Sequence, residues 1–172
     1  MTDIVCTRAT LNCEARRAWE KVCFYEHIEL PPSWLLRTVL PVPERTSGAY
    51  RKVGDVSRCQ YSDGGYLTKR IRNLESGSCI EFDVIEQSIR YASHISLLGG
   101  TIRIEPREDG SCSVEMVTRY ELRVPWLRWI RRPIEYVVGA MHRIVLRDMQ
   151  VKLSSRPTLD RQSPDRVYFK SL

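Results

Sequence analysis

Apolar residues recur in two rhythms along this chain. Over most of its length they alternate with polar ones, the period of a half-buried strand. Near the end they recur every three or four positions, the period of a helix. From Pro133 to Leu153, the residues Ile134, Val138, Met141, Val145 and Met149 fall on one stripe, with Val137 and Ile144 on one flank and His142 and Leu146 on the other. Tyr136, Arg143, Arg147 and Gln150 lie opposite. Pro133 suits the first helical position, where its missing N–H would go unpaired anyway. Glu135 complements the positive end of the helix dipole, and Arg147 and Lys152 the negative end. The helix would be roughly 30 Å long, the width of a small domain. Fully buried, the stripe contributes at most about 8–15 kcal/mol. A large apolar surface must lie against it.

The preceding chain supplies that surface as strands. Ile4 to Leu11 alternates through Val5, Thr7, Ala9 and Leu11. Glu14 to Val22 has helical spacing through Ala15, Ala18, Trp19 and Val22, and Phe24 to Ile28 reads as a second short helix stopped by Pro31-Pro32. Ser33 to Gly54 is the least regular stretch, apolar at Trp34, Leu35, Leu36, Val39 and Leu40 but broken by Pro41 and Pro43. Such a segment serves as a lid or binding loop, or packs on the core. From Asp55 the chain is a run of hairpins, with strands Asp55–Tyr61, Tyr66–Leu74, Cys79–Gln87, Ser93–Pro106 and Cys112–Val124. Their turns are Ser62-Asp63-Gly64-Gly65, Glu75-Ser76-Gly77-Ser78 and Glu108-Asp109-Gly110-Ser111. Gly99-Gly100 inside a strand predicts a bulge or sharp bend. A run of antiparallel strands followed by one long helix predicts an α+β fold, with a strongly curved antiparallel sheet wrapped around the C-terminal helix. Residues 1–153 form one expected domain. The tail 154–172 is expected to be loosely ordered, although Val167, Tyr168 and Phe169 could dock.

Composition narrows the class. The chain has 172 residues, 42% hydrophobic and 28% charged, as one globular domain would. No apolar run approaches the roughly 18 residues of a membrane span, and Met1 to Cys6 lacks the basic and apolar regions of a signal peptide. A cytoplasmic protein is expected. The six cysteines at 6, 13, 23, 59, 79 and 112 form no Cys-x-x-Cys pair and no zinc spacing, and are expected as reduced, buried thiols. No phosphate-binding glycine loop, nucleophile elbow or dinucleotide fingerprint is present, and neither a cofactor nor a metal is expected. The net charge of +6 fits an arginine-rich surface. No stacking module for nucleic acid accompanies it.

The order of elements is the helix-grip arrangement, and the sequence resembles the START-like superfamily, also called SRPBCC. Within it, the resemblance is to bacterial polyketide cyclase/dehydrase-like proteins. It rests on Ala15-Arg-Arg-Ala-Trp19, Val53-Gly-Asp-Val56, the run Lys69 to Phe82, Gly99 to Pro106 with Asp109-Gly110, and Met141 to Leu146 on the helix. These stretches span residues 4–153. The resemblance implies a hydrophobic cavity for a lipid, polyketide, sterol, isoprenoid or similar ligand between sheet and helix. It implies no single chemistry, since the superfamily has no universal catalytic motif.

Three side chains are candidates for proton transfer. His142, on the flank of the helical stripe, could act as a base or bind a ligand oxygen, or be satisfied structurally at the sheet rim. Tyr120, in phase with Thr118 on the last strand, could orient a carbonyl or simply pack. Glu86 continues the phase of Ile80, Phe82 and Val84. If it stays inside, burial raises its pKa; otherwise it is solvated. Trp34, Tyr61, Phe82, His94, Met116, Thr118, Val138, Met141 and Val145 are the expected cavity lining. Asp148 is expected to pair with Lys152 one turn on. Arg123, Trp126, Arg128, Trp129, Arg131 and Arg132 form a basic, aromatic cluster suited to an anionic head group, a membrane surface or an acidic carrier protein, or to a solvated turn. Three functions follow. The first is a binder of a hydrophobic small molecule. The second is a cyclase, aromatase or dehydratase acting by acid–base chemistry. The third is an interaction module with a vestigial cavity and an apolar patch around Trp34 and Trp126.

Overall fold

In a computed structural model of the chain, the structure describes residues 2–23, 43–48, 51–124, 126, 129 and 131–154. The second short helix expected at 24–28, the apolar part of the long loop including Trp34, and the tail after 154 lie outside the described residues. The elements run β1 (Thr2–Leu11), α1 (Ala15–Cys23), β2 (Pro43–Gly48), β3 (Val56–Tyr61), β4 (Tyr66–Glu75), β5 (Cys79–Ser88), β6 (Ile95–Pro106), β7 (Cys112–Leu122) and α2 (Arg131–Ser154). All seven strands form one antiparallel sheet in the order β1-β7-β6-β5-β4-β3-β2. The first strand thus lies beside the last, and the hairpins between them sweep out to β2 at the far edge.

The tight turns fall where the Gly-containing tetrapeptides stand. Asp63 accepts the Gly65 N–H at 2.9 Å and Asp109 the Ser111 N–H at 3.0 Å, the local bond that makes aspartate a turn former. The paired glycines bend β6 as expected. Leu97 faces Tyr120 and Gly99 faces Arg119, so Leu98 is an extra residue. A side chain on Gly100 would come within 3.0 Å of the Phe82 ring and 2.5 Å of the Val117 carbonyl. Phe82 therefore crosses β6 where only glycine fits. Past the bend, the Gln87 side chain replaces ladder bonds, donating to the Ile95 carbonyl at 2.7 Å and accepting the Leu97 N–H at 2.8 Å.

β2 is a strand that the sequence pattern did not predict. Its residues Pro-Glu-Arg-Thr-Ser-Gly carry no alternation, yet they pair with β3 from Pro43↔Tyr61 to Gly48↔Ser57. An edge strand needs neither two-sided burial nor every N–H, and so tolerates a proline.

α1 buries Ala18 completely and packs Trp19 on the core. α2 begins two residues before Pro133, which still falls within the first turn, where backbone N–H groups have no helical partner. Its deepest line is Gly139, His142, Leu146, Met149 and Leu153. The expected stripe was centred elsewhere: Val138, Met141 and Val145 are only half-buried, and the helix is rotated toward the His142–Leu146 flank. Leu146, Met149 and Leu153 join Leu11, Ile71, Ile80, Ile104 and Val114 in one core. Asp148, 1% exposed, pairs with Lys152 at 2.9 Å as expected. Cys13, Cys59, Cys79 and Cys112 are buried free thiols as expected, whereas Cys6, also free, is exposed. Burial among apolar neighbours, with Cys13 beside it, pushes Cys112 up to about 12.

Gly139 is an ordinary helical residue with room beside it. A methyl group there would meet the Arg143 guanidinium end at 3.4 Å and Thr7 and Val5 of β1 at 4.0 Å. Gly139→Ala should therefore stabilise the fold by about 1 kcal/mol through helix propensity, raising Tm by roughly 2–4 °C. A thermal melt showing a loss instead would mean that α2 and β1 pack closer than these distances.

Candidate functional site

Antiparallel pairing fixes which side chains share the concave face. Asp3, Val5, Thr7, Ala9 and Leu11 of β1 stand beside Tyr120, Thr118, Met116, Val114 and Cys112 of β7. Gly100, Ile102 and Ile104 continue the surface on β6, Phe82 and Ile80 on β5, and Ile71 and Lys69 on β4. α2 makes its closest approaches to β1, β7 and α1. It lies toward one side of this face.

One histidine sets its position. His142, 5% exposed, places Nε2 at 2.8 Å from the Thr118 hydroxyl and Nδ1 at 3.0 Å from the Thr7 hydroxyl. It therefore ties α2 to β7 and β1 together. Burial, with a smaller push from Arg143, lowers its pKa from 6.5 to about 4. At neutral pH the ring is neutral, with both nitrogens engaged.

Gly139 sits beside Val5 and Thr7, and Gln150 accepts the Asn12 N–H at 3.1 Å. That side of the helix therefore faces β1. Val138 and Met141, on the other side of His142, are turned toward β6 and beyond, while Val145 packs on the core. There Phe82, Val84 and Leu97 are likewise half-buried; Met116, on β7, packs on the core. Lys69 shares this region, with its ammonium 4.9 Å from the centre of the Phe82 ring. One end of the concave face is thus sealed by the core, while the other presents apolar side chains that the described residues do not fully cover.

Tyr120 is 0% exposed and its hydroxyl has no hydrogen-bond partner. Burial, then the nearby Asp3 and Glu135 carboxylates, push it up to about 12, opposed by Arg131. Arg131 closes this end, with Nε 2.7 Å from Glu135 and 3.4 Å from Asp3. The hydroxyl is sealed from solvent, so Tyr120 lines no open surface. A pocket of about 620 Å³ opens just outside, at the start of α2, lined by Trp129, Arg131, Arg132 and Glu135.

Not every candidate residue joins the concave face. Glu86 stands on the outer face. Thr68 faces Glu86 but Lys69 faces Val84, so Ile85 is an extra residue that reverses the side-chain alternation of β5. Glu86 is exposed and accepts from the Tyr66 hydroxyl at 2.7 Å and the Thr68 hydroxyl at 3.1 Å. Those two bonds lower its pKa, opposite to the rise expected of an interior acid. His94 lies exposed in the turn before β6, with its N–H bonded to the Tyr91 carbonyl and Nδ1 at 2.7 Å from Ser93. Tyr61 keeps the inward phase of Ser57 and Cys59 on β3 and is half-buried. Trp34 lies outside the described residues.

Three inward residues carry polar chemistry that alternation alone did not single out. Lys69 could have been found from its phase between Leu67 and Ile71, and Thr7 from its phase with Val5. Ser57, 2% exposed with an unpartnered hydroxyl, gives no such signal in its polar strand. Among the described residues no group of three His, Cys, Asp or Glu could hold a metal.

No protein-family model matches the chain, and no curated protein matches it. Solved structures do. A protein from Nitrosospira multiformis aligns with a TM-score of 0.63 at 14% identity, over 89% of this chain and 97% of that one. The Zhui aromatase/cyclase from Streptomyces sp. R1128 aligns at 0.61 and 14% identity, over 88% and 93%. Norcoclaurine synthase from Thalictrum flavum, in complex with dopamine and hydroxybenzaldehyde, aligns at 0.57 and 16% identity, over 91% and 89%. The chain has the helix-grip fold. The curved antiparallel sheet and the C-terminal helix across it are the arrangement expected from the order of elements.

Two outcomes follow for stability. Because His142 titrates lower when folded than unfolded, the unfolded chain takes up its proton first as pH falls. The stabilisation is complete above about pH 6.5 and is lost progressively toward pH 4, by up to about 3 kcal/mol. His142→Asn should flatten that part of the wild-type stability profile in denaturant titrations. An unchanged slope would mean that another group carries it. Tyr120→Phe removes a buried, unpaired hydroxyl and should raise unfolding free energy by about 1 kcal/mol. A loss of that size would reveal a partner for the hydroxyl.

Proposed function

We propose that the protein binds a hydrophobic small molecule on the open half of the concave face, between α2 and strands β4–β6. The observation that carries this is the pairing of two half-buried apolar surfaces across that space. Val138 and Met141 form one, on a helix side outside the core cluster; Phe82, Val84 and Leu97, on β5 and β6, form the other. A folded chain ordinarily closes such surfaces on each other, because close packing adds dispersion contacts to apolar burial. A lipid, polyketide or isoprenoid of complementary shape would complete that burial. Lys69, over the Phe82 ring, and Thr118, beside His142, are the polar groups available to orient an oxygen-bearing end. The fold supports the reading by analogy, since a similar structure holds dopamine and hydroxybenzaldehyde.

The cyclase reading has less support from this geometry. It asks for two proton-transfer groups converging on one cavity. Tyr120 is sealed, both His142 nitrogens are occupied by threonine hydroxyls, and Glu86 faces outward.

Titration with a neutral fluorescent polycyclic probe tests the binding reading. Saturable one-to-one binding is expected, weakened about tenfold or more by Met141→Trp, which fills the space, with an unchanged far-ultraviolet circular dichroism spectrum. Native mass spectrometry of the purified protein should show the natural ligand as a mass released on denaturation. Probe binding that does not saturate, or that ignores Met141→Trp, would remove the site from this face.

A further inference from the structure

The end of the molecule where β7 leads into α2 has an unusual surface. Trp129 is 91% exposed, Trp126 58%, and Tyr136 on the early part of α2 69%. Tryptophan is among the most buried side chains on average, since its ring is large and mostly apolar. Two indoles three residues apart in the chain both forgo that burial. Arg123, Arg131 and Arg132 stand exposed around them. Arg132 has no hydrogen-bond or ion-pair partner among the described residues, and Arg123 reaches only the Ser96 hydroxyl, at 3.2 Å. The acids nearby are turned to other partners: Asp3 and Glu135 to Arg131, and Glu121 to the Thr2 hydroxyl. Asp3 is buried and Glu121 and Glu135 are half-buried, so the outermost charges of this end are those of the exposed Arg123, Arg131 and Arg132. The pocket of about 620 Å³ between Trp129, Arg131, Arg132 and Glu135 lies within it.

We infer that this end docks on an anionic membrane surface, with the Trp126 and Trp129 indoles at headgroup depth and Arg123 and Arg132 against lipid phosphates. Indole and phenol rings, apolar with one polar edge, settle at the bilayer–water interface. Basic side chains beside them add attraction to anionic lipids. An acidic protein surface would satisfy the arginines but leave both indoles against charged groups. No helix among the described residues is long and apolar enough to cross a membrane, and the docking proposed is at the surface. It requires no ligand on the concave face.

Co-sedimentation of the full chain with vesicles tests this, using phosphatidylcholine alone and phosphatidylcholine mixed with phosphatidylglycerol. Partition is expected onto the mixed vesicles only, and high salt should reverse it. Arg132→Ala should weaken it roughly fivefold and Trp129→Ala about tenfold, with circular dichroism and Tm unchanged because both side chains are exposed. A blue shift of tryptophan emission on the mixed vesicles should accompany binding and shrink in Trp129→Ala. Absence of partition onto the anionic vesicles, or partition that both substitutions leave intact, overturns the inference. Salt-sensitive binding to soluble polyglutamate without vesicle partition overturns it in favour of an acidic protein partner.

Discussion

The Thr7–His142–Thr118 bridge fixes the relation between helix and sheet on which the rest of this molecule depends. Apolar packing alone holds α2 against the sheet but allows it to roll, because a helix with Val138, Met141, Val145, Leu146 and Met149 can bury more than one line of residues. A neutral imidazole with a hydroxyl at each nitrogen is directional. It places His142 between β1 and β7 and so turns Leu146 and Met149 into the core. Val138 and Met141 are left looking across the concave face. Neutrality is part of the arrangement, since a buried imidazolium would lie near Arg143 with no carboxylate engaged at either nitrogen.

Side-chain alternation then decides which chemistry faces inward, and the bulges decide where alternation breaks. The extra residue at Leu98 bends β6 so that the Phe82 ring can lie over Gly100. The extra residue at Ile85 sends Glu86 to the outer face, where Tyr66 and Thr68 hold it ionised. Arg119 covers the outside of the β6 bend, 2.9 Å from Asp83 and 3.6 Å from Glu81. Charges on β5 are in this way neutralised on the convex side, while the concave side receives Ile80, Phe82 and Val84.

Much of this was legible in the sequence because it rests on period and turn chemistry. Strands β1 and β3–β7, the bend at Gly99-Gly100 and the long helix follow from alternation, glycine pairs and helical spacing. β2 was not legible, since an edge strand needs no apolar face. The site was harder to read, for a physical reason. A single inserted residue reverses inside and outside, and Ile85 carries no mark of being the inserted one in the run Phe82-Asp-Val-Ile-Glu86. The roll of α2 was equally hidden: eight apolar residues and one histidine cover so wide an arc that only the partner threonines, more than twenty residues distant in sequence, choose among its lines.

The polar groups of the interior are not spread evenly, and their distribution separates stability from function along the concave face. The sealed end holds Leu11, Ile71, Ile80, Ile104, Val114, Leu146 and Met149, and its buried acid, Asp148, is paired with Lys152. The other half carries Thr118 and His142, the unpaired hydroxyls of Tyr120 and Ser57, the Lys69 ammonium and the Asp3–Arg131–Glu135 group. Each unpaired buried hydroxyl costs about 1–3 kcal/mol, and apolar side chains of similar shape would pack there without that loss. A domain shaped by stability alone would have no reason to confine such groups to one half. Confinement there, beside the half-buried Val138, Met141 and Phe82, supports the binding proposed for this face.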